Sequence, residues 1–142
     1  MKNIILIDAN VIIRLLTKTP SEQYNISKNL FEKIAKKEIK ALISEGILME
    51  CYFVLTKFYK FDKQKVLNKL KIILELQNII SDDKYILIET LNILEKKNID
   101  FMDALLCAKN NLLGYEIASF DKDIKKCDGK YYEFIEKENN KY

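Results

Sequence analysis

Short apolar runs rich in β-branched residues recur along this chain, separated by stretches in which apolar residues lie three or four positions apart. The first run covers residues 4–7 and stops at Asp8. Continuous apolar runs of this length are typical of parallel strands that are buried on both faces of a sheet. Strands are therefore predicted at residues 4–7, 39–43, 79–80 and 115–119, with a last one at 131–135.

Helical spacing of apolar residues fills the intervals between these strands. A short helix or turn is predicted at residues 10–16, and further helices begin after a cap at Ser21, at Phe61-Asp62, and at Asp82 or Asp83. Another helix is predicted at 45–59, after a cap at Ser44. A helix at 101–112 lies between a cap at Asp100 and a stop at Gly114, and a helical turn follows at 121–126. Strands that alternate with helices form a mostly parallel sheet covered on both faces. The predicted fold is therefore an α/β, three-layer α/β/α sandwich with a mostly parallel central sheet, built as a single domain over residues 1–142.

The residue types that are missing exclude several kinds of site. With no His, and with three Cys that have no close spacing, a structural zinc site and every His-based catalytic triad are excluded. The odd number of Cys argues against a disulfide framework, and Cys51 and Cys107 are interpreted as small core residues. Catalysis must then depend on carboxylates, hydroxyls, Lys or a bound metal.

Hydropathy and charge limit the expected cellular setting. The apolar stretch before Asp8 is too short for a signal peptide, and no run reaches transmembrane length. A cytoplasmic protein without a membrane partner is therefore expected. The formal charge of +3 is too small to identify a nucleic-acid partner by itself.

Two acidic residues stand out in the first half of the chain. Asp8 directly follows the first predicted strand, where an acid acts either as a turn or cap residue or as a site residue, and Asn10 is placed to hold its carboxylate. Glu50 interrupts an apolar run at 47–55, and a charge among core residues is costly unless it is paired or binds a metal. A salt bridge to Arg14 or to a Lys is the alternative explanation for Glu50.

The second half of the chain offers a similar pair. Asp103 begins a predicted buried helix, where a carboxylate also suits the helix dipole and a capping box. Asp121 follows a predicted strand and is the better ligand candidate there. Ser119 beside it can hydrogen-bond a carboxylate or a metal-bound water, whereas Asp123 is interpreted first as part of a polar turn.

A parallel sheet would bring these acids together, because sites form beyond the carboxyl ends of its strands. The four acids are Asp8, Glu50, Asp103 and Asp121. Four carboxylates in one pocket repel one another, and a divalent cation relieves that repulsion. Oxygen ligands without His or Cys favour Mg²⁺ or Mn²⁺, and such clusters suit phosphodiester hydrolysis.

Four segments of the chain, in order, resemble the motifs of PIN-domain nucleases. They are DANVIIR at residues 8–14, ILMECYFVL at 47–55, FMDALLCA at 101–108 and SFDKD at 119–123, where the family often has Thr in place of Ser119. The resemblance spans nearly the whole chain and implies Mg²⁺- or Mn²⁺-dependent cleavage of RNA. It implies that Asp8, Glu50, Asp103 and Asp121 are the catalytic, metal-binding acids, with Asn10 and Ser119 as helpers. Asp123 and Arg14, in the fourth and in the first motif, are predicted as further supporting residues.

The size of the chain and its segment 10–16 look most like the VapC toxins of type II toxin–antitoxin modules. Those proteins act as dimers and are silenced by a cognate antitoxin, so the resemblance implies three partners: RNA, an antitoxin and a second copy of the chain. Two alternatives remain open, a PIN nuclease for RNA processing without an antitoxin and an inactive PIN-fold interaction module. The four intact acids speak against the inactive module.

Two other acid-based classes fit poorly. A phosphatase of the haloacid dehalogenase type needs a second Asp two positions after its nucleophile, and Asn10 stands at that position here. A phosphate-accepting receiver domain needs an acidic pair ahead of its Asp strand, and none is present.

The basic residues leave two assignments open. Lysines 122, 125, 126 and 130 lie near the fourth motif, where they either contact RNA phosphates or form a solvated face. Arg14 is the only Arg of the chain, and it could bind phosphate or steady Glu50.

Overall fold

The structure, a computed structural model, describes residues 4–121 and 126–134. In chain order its elements are β1 (Ile4–Leu6), α1 (Ala9–Thr17), α2 (Ser21–Ala35), β2 (Lys40–Leu42), α3 (Glu45–Phe53), a π-helical segment (Val54–Phe58), α4 (Lys63–Glu75), β3 (Ile79–Ile80), α5 (Lys84–Lys96) and α6 (Phe101–Leu113). The chain divides into two compact units, Met1–Ile88 and Glu89–Tyr142, with the division inside α5. The prediction of a single domain stays a prediction.

The first unit contains a parallel sheet in the order β1-β2-β3. Ile5 pairs with Ala41, and Ala41 pairs with Ile79, so the three strands run in register. The pairing extends one step past the strands, because the amide of Ile7 donates to the carbonyl of Leu42 at 3.1 Å. The predicted α/β class with a parallel sheet is confirmed, and the carboxyl ends of all three strands lie at one edge.

The prediction that the first strand is buried is wrong. Leu6 of β1 is 77% exposed, whereas Ile7, directly after the strand, is only 4% exposed. The reason is topological: β1 is an edge strand that borders only β2 among the described strands. An apolar run marks a strand, but it does not reveal whether the strand has neighbours on both sides.

Buried aliphatic side chains from helices and strands form the core of the first unit. α1 packs against α2 and α3, and α3 packs against α4. The most deeply buried side chains are Ile12, Ile34, Ala41, Ile43, Leu48, Leu55, Leu67, Leu70, Leu74, Ile79, Ile86 and Leu87. Burying side chains of this size contributes about 1.5–3 kcal/mol each, so this core fixes the positions of the helices around the sheet.

Several helix starts follow the sequence prediction. The capping hydrogen bonds run from the amide of Ile47 to the Ser44 hydroxyl, from Lys65 to the Asp62 carboxylate and from Ile86 to the Asp83 carboxylate. Two caps differ from expectation. Ser21 is the first residue of α2, whose cap position is held by Pro20 without a side-chain bond, and Asp100 occupies the cap of α6 but makes no capping hydrogen bond.

The predicted helix at 45–59 is present, but it changes character in its last part. Residues Val54–Phe58 form a π-helical segment in which the amide of Tyr59 bonds to the carbonyl of Val54. The Thr56 hydroxyl donates to the carbonyl of Tyr52 at 2.7 Å and so competes for an acceptor of the α-helical ladder. This competition accompanies the wider turn, and π segments of this kind often occur at functional sites.

In the second unit, α6 ends at Gly114, whose φ of 72° is the left-handed conformation that the sequence predicted for a helix stop. No strand forms at residues 115–119. Instead, Ile117 makes a single parallel bridge to Tyr131, with its amide bonded to the carbonyl of Lys130. The predicted last strand is therefore represented by one bridge residue, and position 135 lies outside the described residues, as do positions 122–125 of the predicted helical turn.

A buried amide holds this loop against α6. The side-chain amide of Asn110 donates to the carbonyls of Tyr115 and Lys130, at 2.7 and 2.9 Å. Its carbonyl side lies against the backbone of Gly129. One side chain therefore fixes both ends of the loop that carries Ser119 and Asp121.

A disulfide joins Cys107 of α6 to Cys127 of the same loop, with a Cα–Cα distance of 5.0 Å. The prediction that Cys107 is only a small core residue is therefore wrong, although Cys107 is buried. Cys51 is free and buried, as predicted. The odd Cys count misled because one pair forms between residues twenty positions apart and leaves the third thiol alone.

None of the helices in the described part of the chain has the length and apolar character needed to cross a membrane.

Replacing Gly129 with Ala tests the Asn110 contact. A Cβ at Gly129 would overlap the Asn110 side chain, so Gly129→Ala must displace a buried amide and weaken its two hydrogen bonds. We expect the free energy of unfolding to fall by about 1–3 kcal/mol, measured by thermal or urea denaturation.

Gly46→Ala is the matched control, because Gly46 lies in α3 with nothing within 4 Å of an added Cβ. That variant should keep the parent stability or raise it slightly, because Gly46 lies in the first turn of α3 and Ala has the higher helix propensity. Equal stability of the two variants would contradict the role given to Asn110.

Candidate functional site

Asp8 lies between β1 and α1, at the carboxyl edge of the sheet. It is the N-cap of α1, and one of its carboxylate oxygens accepts a hydrogen bond from the amide of Ala9 at 2.9 Å. The side chain is exposed. Asp8 is therefore a cap residue, as one interpretation predicted, and its role as a site residue stays a prediction.

Glu50 occupies the middle of α3 and is exposed, which corrects the expectation that core residues surround it. The helix buries Leu48 and Cys51. Glu50 is two positions after Leu48, a rotation of about 200° around the helix, so it points away from the buried side. Apolar residues on all sides of α3 hid this direction in the sequence.

The salt-bridge explanation for Glu50 finds no support among the described residues, where its carboxylate has neither an ion pair nor a hydrogen bond. Arg14 is committed elsewhere. Its Nε donates to Gln23 at 2.8 Å and its Nη1 donates to the Tyr59 hydroxyl at 3.2 Å. Gln23 and Tyr59 thus orient the guanidinium of Arg14, and this group does not neutralise Glu50.

The negative charges of Asp8 and Glu50 both act on the buried thiol of Cys51. Its sulfur lies 3.7 Å from the carbonyl oxygen of Ala9, the residue after Asp8. Burial, followed by the negative charges of Glu50 and Asp8, raises the pKa of Cys51 to about 12. Two carboxylates that both act on one thiol create a region of negative electrostatic potential, and such a region favours a cation.

The donor chemistry of this pair fits a hard divalent cation. Mg²⁺ keeps several waters and is usually held by one or two carboxylates together with substrate phosphates, and Asp8 and Glu50 are ligands of that chemical type. Within residues 4–121 and 126–134, no group of three or more Asp, Glu, Cys or His side chains is close enough to hold a metal. The pair is therefore suited to an ion that shares its coordination with water and substrate.

Asn10 and Arg14 lie on α1, one helical turn apart, and both line a pocket of about 340 Å³. Three aromatic rings complete its wall: Phe53, Phe58 and Tyr59. Tyr59 and Gln23 were missed by sequence reasoning, because neither residue belongs to a motif and only the structure shows them holding Arg14.

The acids of the second half lie in the second unit. Asp103 is half-buried in the first turn of α6. Asp121 is exposed, and its amide donates to the Ser119 hydroxyl at 3.0 Å, so Ser119 shapes the backbone that carries this acid. Asp123 lies outside the described residues.

The disulfide connects the two segments that carry these acids. Cys107 follows Asp103 by one turn of α6, on the same face of the helix. Asp121 belongs to the loop that the bond between Cys107 and Cys127 closes. Asn110, the second tie of that loop, was missed in the sequence, although a polar residue inside an apolar helical run was a visible signal.

Of the lysines predicted near the fourth motif, positions 122 and 125 lie outside the described residues. Lys126 is exposed, and its ammonium group donates to the carbonyl of Asn98 at 3.5 Å. Lys130 is exposed, and its backbone carbonyl accepts from Asn110 and Ile117. The assignment of these lysines to RNA phosphates stays a prediction.

The chain is similar to known proteins over most of its length. A family model described as the PIN domain matches residues 5–130 of the chain. The chain is also similar to a VapC ribonuclease from Aquifex aeolicus (strain VF5), with 24% identity over 122 residues, which are 85% of this chain and 90% of that protein.

Counting thiols tests both the burial of Cys51 and the disulfide. At pH 8 a thiol with a pKa of about 12 is ionised to about one part in ten thousand, so the native protein should resist alkylation by iodoacetamide. Unfolding without reductant should expose one reactive thiol, and reduction should expose all three, as counted by mass spectrometry. Three thiols in the unreduced, unfolded chain would contradict the disulfide.

Proposed function

The chain belongs to the PIN domain family, and from this we propose that it is a metal-dependent endoribonuclease that hydrolyses RNA phosphodiester bonds. The family assignment and the similarity to a VapC ribonuclease support a nuclease. The single observation that carries the proposal is the pair of exposed carboxylates, Asp8 and Glu50, which impose a negative field on one buried thiol and have no cationic partner among the described residues.

In this proposal Asp8 and Glu50 hold Mg²⁺ or Mn²⁺, and the resemblance to the family motifs assigns Asp103 and Asp121 the same catalytic, metal-binding role. A divalent cation bound there would supply an activated water and stabilise the charge that develops on the scissile phosphate. Asp8 contributes a carboxylate that its bond to the Ala9 amide already orients, so little rotational freedom is lost on binding.

Arg14 is the group best prepared to bind a phosphate of the substrate. Bonds to Gln23 and Tyr59 fix two edges of its guanidinium, and its other N–H groups find no acceptor among the described residues. A guanidinium held in this way pairs with a phosphate in a two-pronged geometry at low entropic cost. We assign Asn10, one turn earlier on α1, and Ser119 to supporting roles.

Among the three biological settings that the sequence leaves open, we propose the toxin of a toxin–antitoxin pair. The similarity to a VapC ribonuclease over most of both chains favours this setting over RNA processing without an antitoxin. The proposal includes a cognate antitoxin, a homodimer and a cytoplasmic location. An inactive interaction module would have no need of two unpaired, mutually repelling carboxylates.

Cleavage assays with carboxylate variants test the proposed chemistry. With Mg²⁺ or Mn²⁺ and a mixture of labelled RNAs, Asp8→Asn, Glu50→Gln and Asp103→Asn should each lower the cleavage rate by at least about a hundredfold, and EDTA should abolish it. Asn at position 8 keeps an oxygen for the Ala9 amide, so that variant should fold, and relief of repulsion should raise its melting temperature without metal.

Glu32→Gln is the control. Glu32 is an exposed acid of α2, so its substitution removes the same charge at a position outside the proposed site. Its activity should equal that of the parent. Full activity of Asp8→Asn would refute the assigned site, and metal-independent cleavage would refute the proposed chemistry.

Growth arrest tests the proposed setting. Induced expression of the parent chain in a bacterial host should stop growth, whereas Asp8→Asn should not, because the toxicity is attributed to RNA cleavage. Co-expression of a small reading frame from beside the gene should restore growth of the parent strain. Undisturbed growth with full RNA cleavage in vitro would favour the processing nuclease instead.

A further inference from the structure

A second pocket in the first unit lies beyond the one that contains Asn10 and Arg14. It has a volume of about 480 Å³ and lies where the end of α1 meets the start of α4. Its rim carries Lys18, Lys60, Lys65 and Lys69, and its floor is apolar and includes Phe61. We call it the lysine pocket.

The four lysines of this rim are exposed, and their side chains have no ion pair or hydrogen bond with any described residue. The one acid of the lining is Asp62, whose carboxylate caps α4 through the amide of Lys65. The lysine pocket is therefore a concentrated positive site that attracts anionic ligands.

Aromatic rings connect the two pockets without interruption. The rings of Phe58 and Tyr59 are 5.3 Å apart, and those of Tyr59 and Phe61 are 5.7 Å apart. Tyr59 lines the first pocket and Phe61 the second. Phe58 is 77% exposed and Phe61 is 41% exposed, so both rings offer a face to a ligand.

Helix α1 sets the direction of this row. Asn10 and Arg14 lie one turn apart on α1, and Lys18 follows the helix as its left-handed C-cap, so the three residues succeed one another over about 12 Å. The row begins two residues after Asp8. A linear ligand that extended from the carboxylate pair along α1 would thus meet first Arg14 and then the lysine pocket.

We propose that this row binds a single-stranded segment of RNA, with phosphates on Arg14 and the lysines and bases stacked on Phe58 and Phe61. Sites for single-stranded nucleic acid combine a positive groove that follows the backbone with aromatic rings that accept any base. The inference rests on the proposed function, because it takes the RNA to be the substrate whose scissile bond lies at Asp8 and Glu50.

The arrangement favours RNA over an acidic protein segment. Phe58 lies in one pocket with Arg14 and Phe61 in the other with the lysines, and a nucleic acid supplies both bases for such rings and phosphates for such cations. Single strands are favoured over duplexes, because the bases of a duplex are paired and stacked inside it and cannot reach the rings.

Binding of fluorescein-labelled oligouridylate, followed by fluorescence anisotropy in EDTA, tests the inference without cleavage. Replacing Lys60, Lys65 and Lys69 together with Ala should weaken binding at low salt at least about tenfold and should reduce the slope of log K against log salt by about two, one released counterion per lost phosphate contact. Phe61→Ala should weaken binding about tenfold and leave the slope unchanged, because it removes stacking only.

A triple variant of Lys28, Lys33 and Lys36 is the matched control, since these exposed residues at α2 remove the same charge elsewhere in the first unit. It should keep the parent affinity and slope. Circular dichroism verifies folding, and the lysine variant tests the row even where Phe61→Ala fails to fold, because its three side chains are exposed.

Equal weakening by the two triple variants would overturn the inference, and so would tighter binding of an alternating Glu-Leu peptide than of the oligouridylate, which would assign the lysine pocket to a protein partner. The two proposals also fail separately. If the parent cleaves RNA and the lysine variant binds RNA as tightly as the parent, the proposed RNA-binding row is refuted and the nuclease proposal stands. If the lysine variant loses binding but the parent cleaves no RNA, the RNA-binding row stands and the nuclease proposal is refuted.

Discussion

Parallel pairing of β1, β2 and β3 is the constraint on which the first unit depends. It brings the carboxyl ends of the three strands to one edge, so Asp8 after β1 and the start of α3 after β2 are placed on the same side of the sheet. Ser44 then fixes where α3 begins, and this sets the rotation at which Glu50 leaves the helix. The negative field that both carboxylates impose on the thiol of Cys51 follows from strand register and one capping bond, without any contact between the acids themselves.

The second unit reaches its order in a different way. Instead of a strand ladder, a disulfide ties Cys127 to α6, the buried Asn110 amide of α6 binds the carbonyls of Tyr115 and Lys130, and one parallel bridge joins Ile117 to Tyr131. The described part of this loop therefore depends on a few specific residues, whereas a strand distributes its stabilisation over many backbone hydrogen bonds. Asn110 matters most here, because an amide buried without acceptors would destabilise the helix that carries Asp103.

Much of the fold could be predicted from the sequence, because strand and helix periodicities are local properties of the chain. The bounds of β3 and the stop at Gly114 were predicted well for this reason. What failed depended on the tertiary environment. The exposure of β1 is set by how many strands border it, the direction of Glu50 by which side of an apolar helix is buried, and the pairing of Cys107 by the course of a loop. The motifs of the candidate site could be found in the sequence, whereas the residues that orient Arg14 could not, since Gln23 and Tyr59 meet it only in the folded chain.

Electrostatics links the carboxylate pair to the lysine pocket. A polyanion that approaches Asp8 and Glu50 is repelled, and in the proposed function a divalent cation would offset this repulsion only within a few ångströms of the scissile phosphate. The neighbouring phosphates of the proposed RNA strand would then need cations farther from the carboxylates. Arg14 on α1 and the lysines around the pocket at the end of α1 would supply this charge, although the whole chain carries only +3. A modest net charge is therefore compatible with RNA binding when positive charge is concentrated along one path, and the average charge of the sequence could not reveal that concentration.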